Sequence, residues 1–145
     1  MNESSWTDCL KLNKARKVIS DKRRAESLIE TAIGRIEQIG EITGKNCNYV
    51  FEDYYTSILE FLQAIGFWQG FNILNHVCIG YFLKEKLQRQ DLFIIFDDLR
   101  YKRNSLTYYG KRMEFDVCKE AINKSKLLLN ELDKIIVVLK NKNQI

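Results

Sequence analysis

Proline is absent from all 145 residues of this chain, and this absence restricts the possible folds more than any other feature of the sequence. Proline is common in the turns and edge strands of sheet proteins and interrupts helices. The chain also has only seven glycines. Such a composition predicts long helices joined by short connections. A hydrophobic content of 46% and a charged content of 29% are typical of a globular domain.

Apolar residues recur at steps of three and four along most of the chain, which indicates amphipathic helices. Either Ser20 or Asp21 is a plausible N-cap for the second of them. The third helix is the most aromatic, and we expect it to be central, with its aromatic residues in the core. The predicted helices cover residues 3–12, about 21–39, about 48–69, a segment from His76 to Leu83, a segment that follows Gln88–Asp91 and ends at Gly110, and about 114–140.

The predicted fold is all-α. The sequence has no internal repeat, no visible domain boundary and no alternation typical of strands, so a single domain over residues 1–145 is expected. The last helix repeats its apolar residues in alternating three- and four-residue steps, which favours near-parallel packing along a bundle. We therefore predict an antiparallel four-helix up-and-down bundle with a short extra N-terminal helix.

Most of the positive charge lies in two segments. Residues 11–24 contain seven Lys and Arg residues and one acid, Asp21, whereas residues 100–112 contain five Lys and Arg residues and no acid. Two such segments suit a polyanion such as nucleic acid, and they equally suit solvated helix faces. The charge pattern alone leaves both interpretations open.

The four cysteines, Cys9, Cys47, Cys78 and Cys118, form no CxxC motif, and the chain has one histidine. A structural zinc site is therefore not expected, and we predict no metal and no cofactor. We interpret the cysteines as buried or idle thiols in a reducing compartment. The first residues lack a basic region followed by an apolar run, and no apolar run is long enough for a membrane span. These features predict a cytoplasmic protein without a membrane partner.

Arg103 is the strongest functional lead. Leu92, Ile95, Phe96, Leu99 and Leu106 fall on one stripe of the predicted helix, and Arg103 falls on the same stripe, about 40° from Leu99. An unpaired buried guanidinium would cost several kcal/mol, on the order of the desolvation of an ion. Arg103 must therefore reach an open cleft or meet a partner from another helix or subunit.

Other chemical signatures are sparse. The sequence has no phosphate-binding glycine loop, no GxSxG and no HExxH. Asp97 and Asp98 point about 100° apart on a helix, and we expect ordinary surface pairs, Asp97 with Arg100 or Tyr101 and Asp98 with Lys102. His76 either packs as a hydrogen-bonded histidine beside Asn75 or enters a cleft with Arg103, and the sequence leaves this choice open.

The segment FDDLRYKRNSLTYYG, followed by one long helix, resembles the core of the HEPN superfamily, and NILNHVCIGYFLKEKL is similar to segments of its stand-alone archaeal and bacterial members. The resemblance covers residues 20–140. Its diagnostic motif is an arginine and a polar residue, followed after four to six residues by a histidine. Arg103 and Asn104 match the first part, but Tyr108 or Tyr109 occupies the place of the histidine.

The resemblance implies a homodimeric helical bundle in which two motifs face a shared groove. Many members are metal-independent ribonucleases, often toxins paired with a nucleotidyltransferase antitoxin, and others bind RNA or nucleotides without catalysis. In the nuclease reaction the arginine stabilises negative charge and the histidine moves protons. Because tyrosine has an unperturbed pKa near 10, Tyr108 is a poor base at neutral pH, which argues against ordinary nuclease activity.

Three functional hypotheses follow from these observations. The first is a dimeric RNA- or nucleotide-binding module, in which Arg103 contacts phosphate and Asn104 and Tyr108 set the geometry. The second is a metal-independent ribonuclease in which Arg103 acts with Tyr108 or His76. The third is a structural or adaptor bundle in which Arg103 is an interface residue. In the first hypothesis, further contacts or positive field come from Arg100, Lys102, Lys111, Tyr109 and His76.

Overall fold

A computed structural model of the chain describes residues 2–142, and these residues are mostly helical. The two ends of the predicted single domain 1–145, Met1 and residues 143–145, lie outside the described residues. The six helices and two strands of the described part are α1 (Trp6–Lys11), β1 (Ala15–Lys17), α2 (Lys22–Glu37), α3 (Cys47–Trp68), β2 (Phe71–Ile73), α4 (His76–Tyr81, continued by a π-helical turn at Phe82–Lys86), α5 (Gln90–Tyr109) and α6 (Phe115–Lys142).

Side-chain caps fix the starts of several helices. Asp21, one of the two predicted N-caps, accepts a hydrogen bond from the backbone amide of Arg24 at the start of α2. Asn75 caps α4 in the same way through the amide of Cys78. The helix α5 ends at Gly110, whose φ of 63° lies in the left-handed region that glycine adopts without strain.

The two strands correct the prediction of a chain without strands. β1 pairs antiparallel with β2, and Arg16 lies opposite Asn72 in the register. Each strand has three residues, which is too short to show the alternation by which strands are recognised in a sequence. The segment that follows β1 also binds to a part of the chain that is distant in sequence, since the amide of Val18 donates to the carbonyl of Gly70. Tertiary contacts rather than local preference therefore form this ribbon.

Helix α3 forms the centre of the molecule. It packs against α2 and α6 along its length and also contacts α5 and β2. Its aromatic residues Phe51, Tyr55 and Phe61 are buried, as the aromatic content of this helix predicts. No helix of the described residues is long and apolar enough to cross a membrane.

The cysteines require a second correction. Cys9 and Cys78 form a disulfide that joins α1 to α4, so the interpretation of all four cysteines as thiols is wrong for this pair. The two residues are 69 positions apart in sequence, and folding brings their Cα atoms to 5.9 Å. Because sequence spacing carries no information on such a distant pair, the sequence could not reveal it. Cys47 and Cys118 are free and buried, as interpreted.

Candidate functional site

The apolar stripe of α5 leads from the core to the surface. Leu92, Phe96 and Leu99 are buried at the N-terminal end of the stripe. Leu106, near the C-terminal end of the helix, is only partly buried against the core. Arg103 lies between these two regions and is half-buried. The stripe therefore places the guanidinium at the edge of the core, where it reaches solvent without leaving the helix face that packs inward.

Two aromatic rings hold the Arg103 guanidinium. Its central carbon lies 5.7 Å from the ring centroid of Tyr55 and 5.7 Å from that of Tyr108. Nη1 donates a long hydrogen bond of 3.5 Å to the Tyr108 hydroxyl. Within residues 2–142, no carboxylate lies within ion-pair distance of Arg103. The rings orient the cation by cation–π attraction but do not neutralise its charge.

Tyr55 connects this arginine to the single histidine of the chain. The Tyr55 hydroxyl and Nδ1 of His76 share a hydrogen bond of 3.2 Å, and the ring centroids are 5.7 Å apart. Phe96 stacks on the Tyr55 ring, with the ring centroids 6.0 Å apart and an interplanar angle of 15°. The tyrosine ring is therefore fixed by α3, α4 and α5 together.

The same surroundings control the titration of both groups. Burial raises the pKa of Tyr55 far above its ordinary value, so its hydroxyl stays protonated. Burial, followed by the positive charges of Arg103 and Arg100, lowers the pKa of His76 below its ordinary 6.5. His76 is therefore a neutral imidazole at pH 7, and the positive charge of this region comes from the arginines.

An open cleft of about 360 Å³ lies beside these residues. One wall comes from the segment that joins β2 to α4 and from the first turn of α4, and the other comes from the C-terminal half of α5. The residues that line it are Leu74, Asn75, His76, Val77, Arg100, Asn104 and Tyr108.

The polar groups of the cleft differ in what they already bind. Asn75 is occupied, since its Oδ1 caps α4 and its Nδ2 donates to Glu3 at 2.8 Å. Arg100 pairs with Asp97 at 2.9 Å. Asn104 makes no side-chain hydrogen bond with another described residue, and Arg103 has no acidic partner there. Arg103 does not line the cleft itself but lies against Tyr108, which does. Its unneutralised charge therefore stands beside a cleft with an unused amide, an arrangement suited to an anion such as a phosphate.

The structure places the predicted site residues in or beside the cleft, in a second groove, or, for Tyr109, in neither. Arg103, Asn104, Tyr108, Arg100 and His76 lie in or beside the cleft. The remaining predicted cations, Lys102 and Lys111, line a different groove of about 360 Å³ with Arg112, on another side of α5. Lys102 pairs with Asp98 and Arg100 pairs with Asp97, as the sequence predicts. Tyr109 is 82% exposed and lines neither groove.

Tyr55 is the site residue that sequence reasoning missed. It lies on the aromatic helix α3, where we assigned the aromatic residues to the core, and Tyr55 is indeed buried. Its hydroxyl was the available signal, because a buried phenol needs a hydrogen-bond partner that phenylalanine does not. The partner, His76, is on another helix and could not be identified from spacing.

Comparisons with protein-family models, with curated proteins and with solved structures find no match for this chain. Among residues 2–142, no group of three His, Cys, Asp or Glu side chains is placed to hold a metal ion. The interpretation of the cleft therefore depends on its own geometry and charge and on the motif in α5.

Proposed function

We propose that this chain is a HEPN-like module that binds RNA or nucleotide phosphate in the cleft beside Arg103 and lacks ordinary nuclease activity. In this proposal the four long helices α2, α3, α5 and α6 form the up-and-down bundle of that superfamily. Two copies associate as a homodimer with their clefts facing a shared groove, and a nucleotidyltransferase-type protein is the expected partner in a toxin–antitoxin-like system.

The observation that carries the proposal is the unneutralised charge of Arg103. A half-buried guanidinium without a carboxylate keeps its charge and its hydrogen-bond donors available for a ligand. Arg100 adds positive field, although Asp97 reduces its contribution. Asn104 and Tyr108 stand in the same cleft and can donate to the remaining oxygens of a phosphate.

The proposed absence of ordinary nuclease activity rests on the tyrosine at the position of the motif histidine. Tyr108 or Tyr109 occupies the place of the motif histidine, and the phenol of Tyr108 is 67% exposed with its hydroxyl against Arg103. A hydroxyl in this position can donate a hydrogen bond to a phosphate or stack on a base, but an ordinary phenol does not abstract a proton at neutral pH.

A metal-independent ribonuclease is the second candidate, because His76 lines the same cleft as Asn104 and Tyr108. Its lowered pKa keeps the imidazole neutral at pH 7, which is the form that accepts a proton. In this reaction His76 takes the proton of a 2′-hydroxyl and the resulting oxygen attacks the adjacent phosphorus to form a 2′,3′-cyclic phosphate. The bond from phosphorus to the 5′-oxygen breaks, and that oxygen takes a proton from water. Arg103 stabilises the added negative charge.

A structural or adaptor bundle is the third possibility, in which Arg103 meets an acid or a carbonyl of a second subunit. This hypothesis predicts that substitution of Arg103 weakens assembly and leaves ligand binding unaffected. The binding hypothesis predicts the opposite result, so one pair of measurements separates them.

The experiment compares the wild-type protein with Arg103→Ala and with a matched control, Arg112→Ala. Arg112 lies in the other groove, where it stacks on Tyr49, and its loss removes the same charge. We expect Arg103→Ala to weaken binding of a labelled single-stranded RNA by roughly 10- to 100-fold, as for a charge-assisted contact, while Arg112→Ala has a small effect. Equal effects of the two variants would contradict the proposal.

Oligomeric state and cleavage are measured on the same samples. Light scattering should give the same mass for the wild type and Arg103→Ala, whereas a variant that loses assembly supports the adaptor hypothesis. Cleavage of the RNA in the presence of EDTA, abolished by both Arg103→Ala and His76→Gln, would establish the ribonuclease instead.

A further inference from the structure

Residues 11–24 form a second positively charged surface, next to the cleft residue Leu74. Residues 11–24 hold seven Lys and Arg residues and one acid, a net charge of +6, although the whole chain carries only +4. The rest of the chain therefore carries a net charge of −2, even though residues 100–112 hold five more cations. All seven of these basic residues are exposed, and none lies within ion-pair distance of a carboxylate in residues 2–142. The one acid, Asp21, is used as the N-cap of α2.

Five of these residues, Lys14, Arg16, Lys17, Lys22 and Arg23, form what we call the basic ridge. The backbone that carries them is held in place along its length. The amide of Val18 donates to Gly70 at 2.9 Å, and the amide of Asp21 donates to Phe67 at 2.9 Å. The Ser20 hydroxyl donates to the carbonyl of Trp68 at 2.6 Å. The backbone of the ridge is therefore an ordered part of the fold rather than a loose tail.

The basic ridge is continuous with the cleft. The carbonyl of Lys14 accepts a hydrogen bond of 2.8 Å from the amide of Leu74, which lines the cleft. From Lys14 the chain extends through β1, so at roughly 3.3 Å per residue Lys17 lies about 10 Å farther along. The chain that carries the ridge therefore starts directly beside the cleft residue Leu74.

The ridge differs from the solvated charged faces of this protein. On α5 and α6 basic residues pair with acids three or four positions away, as Lys102 does with Asp98 and Lys124 with Glu120. Alternating charge of that kind is typical of a helix face that contacts only water. The ridge cations make no such ion pair within residues 2–142, although Glu26 lies four positions after Lys22 and three after Arg23. Like charges held close together repel one another. A bound polyanion would relieve that repulsion.

We propose that the basic ridge binds the sugar–phosphate backbone of single-stranded RNA whose end occupies the Arg103 cleft. This inference rests on the proposed function and extends it from a single phosphate to a strand. The continuity with the cleft favours RNA over an anionic membrane. An anionic membrane is the competing partner, because Ile19, between β1 and α2, is 93% exposed and could insert into a lipid surface.

The test uses a ridge variant, Arg16→Gln with Lys17→Gln, and a control variant, Lys119→Gln with Lys126→Gln. The control removes the same charge from exposed positions in the N-terminal half of α6. That half lies away from the ridge, because it is the other end of α6, near Ile136, that packs beside Trp68. Circular dichroism checks that each variant is folded. Fluorescence anisotropy then measures binding of an RNA dinucleotide and of a strand of about twelve nucleotides, a length within the roughly 4–16 that single-strand sites cover.

We expect the ridge variant to bind the longer strand roughly tenfold more weakly at about 0.1 M salt, with a salt dependence reduced by about 0.7 per lost contact. Its affinity for the dinucleotide should equal that of the wild type. An unchanged affinity for the longer strand would overturn the ridge proposal, and so would ridge-dependent binding to vesicles of phosphatidylcholine and phosphatidylserine without binding to RNA.

Arg103→Ala, measured beside the ridge variant, separates the two proposals. If it weakens both RNAs while the ridge variant weakens neither, the ridge proposal fails and the proposed function stands. If it weakens neither while the ridge variant weakens the longer strand, the proposed function fails and the ridge is no longer an extension of the cleft.

Discussion

The Tyr55 hydroxyl lies 3.2 Å from Nδ1 of His76, and this contact joins the central helix α3 to the first turn of α4. The same tyrosine ring faces the Arg103 guanidinium at 5.7 Å. One buried side chain therefore orients both the histidine and the arginine of the cleft. Because the chain has a single histidine, each change at this site can be followed through one imidazole signal.

Replacement of Tyr55 by phenylalanine should loosen this arrangement without opening a cavity. The variant keeps the aromatic ring and leaves Nδ1 of the half-buried His76 without its partner, so we expect a loss of about 1 kcal/mol in the free energy of unfolding. Urea denaturation measures this loss. Tyr54→Phe is the matched control, because the Tyr54 hydroxyl makes no hydrogen bond with another described residue. An equal effect of both substitutions would show that the Tyr55–His76 contact is unimportant for stability.

The lowered pKa of His76 makes stability dependent on pH below neutrality. The unfolded state, with an ordinary pKa of 6.5, binds a proton more readily than the folded state. Stability contributed by the neutral imidazole is therefore complete above pH 6.5 and is lost as the pH falls through the lower folded-state pKa. We expect thermal denaturation to show this decline in the wild type and a weaker one in His76→Gln. Parallel pH profiles of the wild type and His76→Gln would contradict the assignment of this pH dependence to His76.

Arg103→Gln should raise the pKa of His76. After burial, the positive charge of Arg103 is the largest cause of the lowered value, so its removal makes protonation of the imidazole easier. A proton NMR titration of the one histidine measures the shift. Arg112→Gln, which removes a charge from the other groove, should leave the titration unchanged, and a shift of equal size in that control would mean that net charge rather than proximity is responsible.

Loss of the Cys9–Cys78 disulfide should destabilise the fold substantially. The bond links two residues that are 69 positions apart in sequence. Reduction removes this constraint and raises the entropy of the unfolded chain, which lowers the free energy of unfolding by roughly 2–4 kcal/mol. We expect Cys9→Ser to lower the melting temperature in non-reducing buffer. The wild type in dithiothreitol should melt at the same lowered temperature. A melting temperature that dithiothreitol does not change would contradict the presence of this disulfide.

Alkylation distinguishes the two kinds of cysteine. Burial raises the pKa of the Cys118 thiol to about 12, and the neighbouring Cys47 adds to this effect, so little thiolate is present at neutral pH. In native protein we expect iodoacetamide to modify neither Cys47 nor Cys118, and both should react after denaturation without a reductant. Mass spectrometry should then find Cys9 and Cys78 modified only after reduction. Rapid modification of Cys118 in the native state would be inconsistent with its burial.

Most of the helices could be predicted because their signals are local. Apolar periodicity gives α2, α3, α5 and α6, and the caps at Asp21 and Gly110 lie where the sequence indicates them. The ribbon of β1 and β2 and the Cys9–Cys78 disulfide could not be predicted. Both depend on segments that are distant in sequence, and a three-residue strand has too few positions for a pattern.

The candidate site shows the same division. Arg103 could be identified from the sequence because a charge on an apolar helix stripe is a local conflict that needs a partner. Lys102 and Lys111 are near Arg103 in sequence, but both line another groove: Lys102 because it lies on a different face of α5, and Lys111 because the chain turns at Gly110 after the helix ends. Tyr55 belongs to a different helix, and the sequence pattern assigned it to the core, where it is indeed buried, without indicating its contacts with His76 and Arg103.

The central claim, that the cleft binds a phosphate beside Arg103, is tested most directly by the imidazole signal of His76. The measurement is an NMR pH titration of the wild type with and without an RNA dinucleotide. An anion bound between Arg103 and Asn104 favours the protonated imidazole, so the account predicts that the dinucleotide raises the pKa of His76, and that Arg103→Ala largely removes the effect. A titration curve of the wild type that is unchanged at saturating dinucleotide would contradict the account.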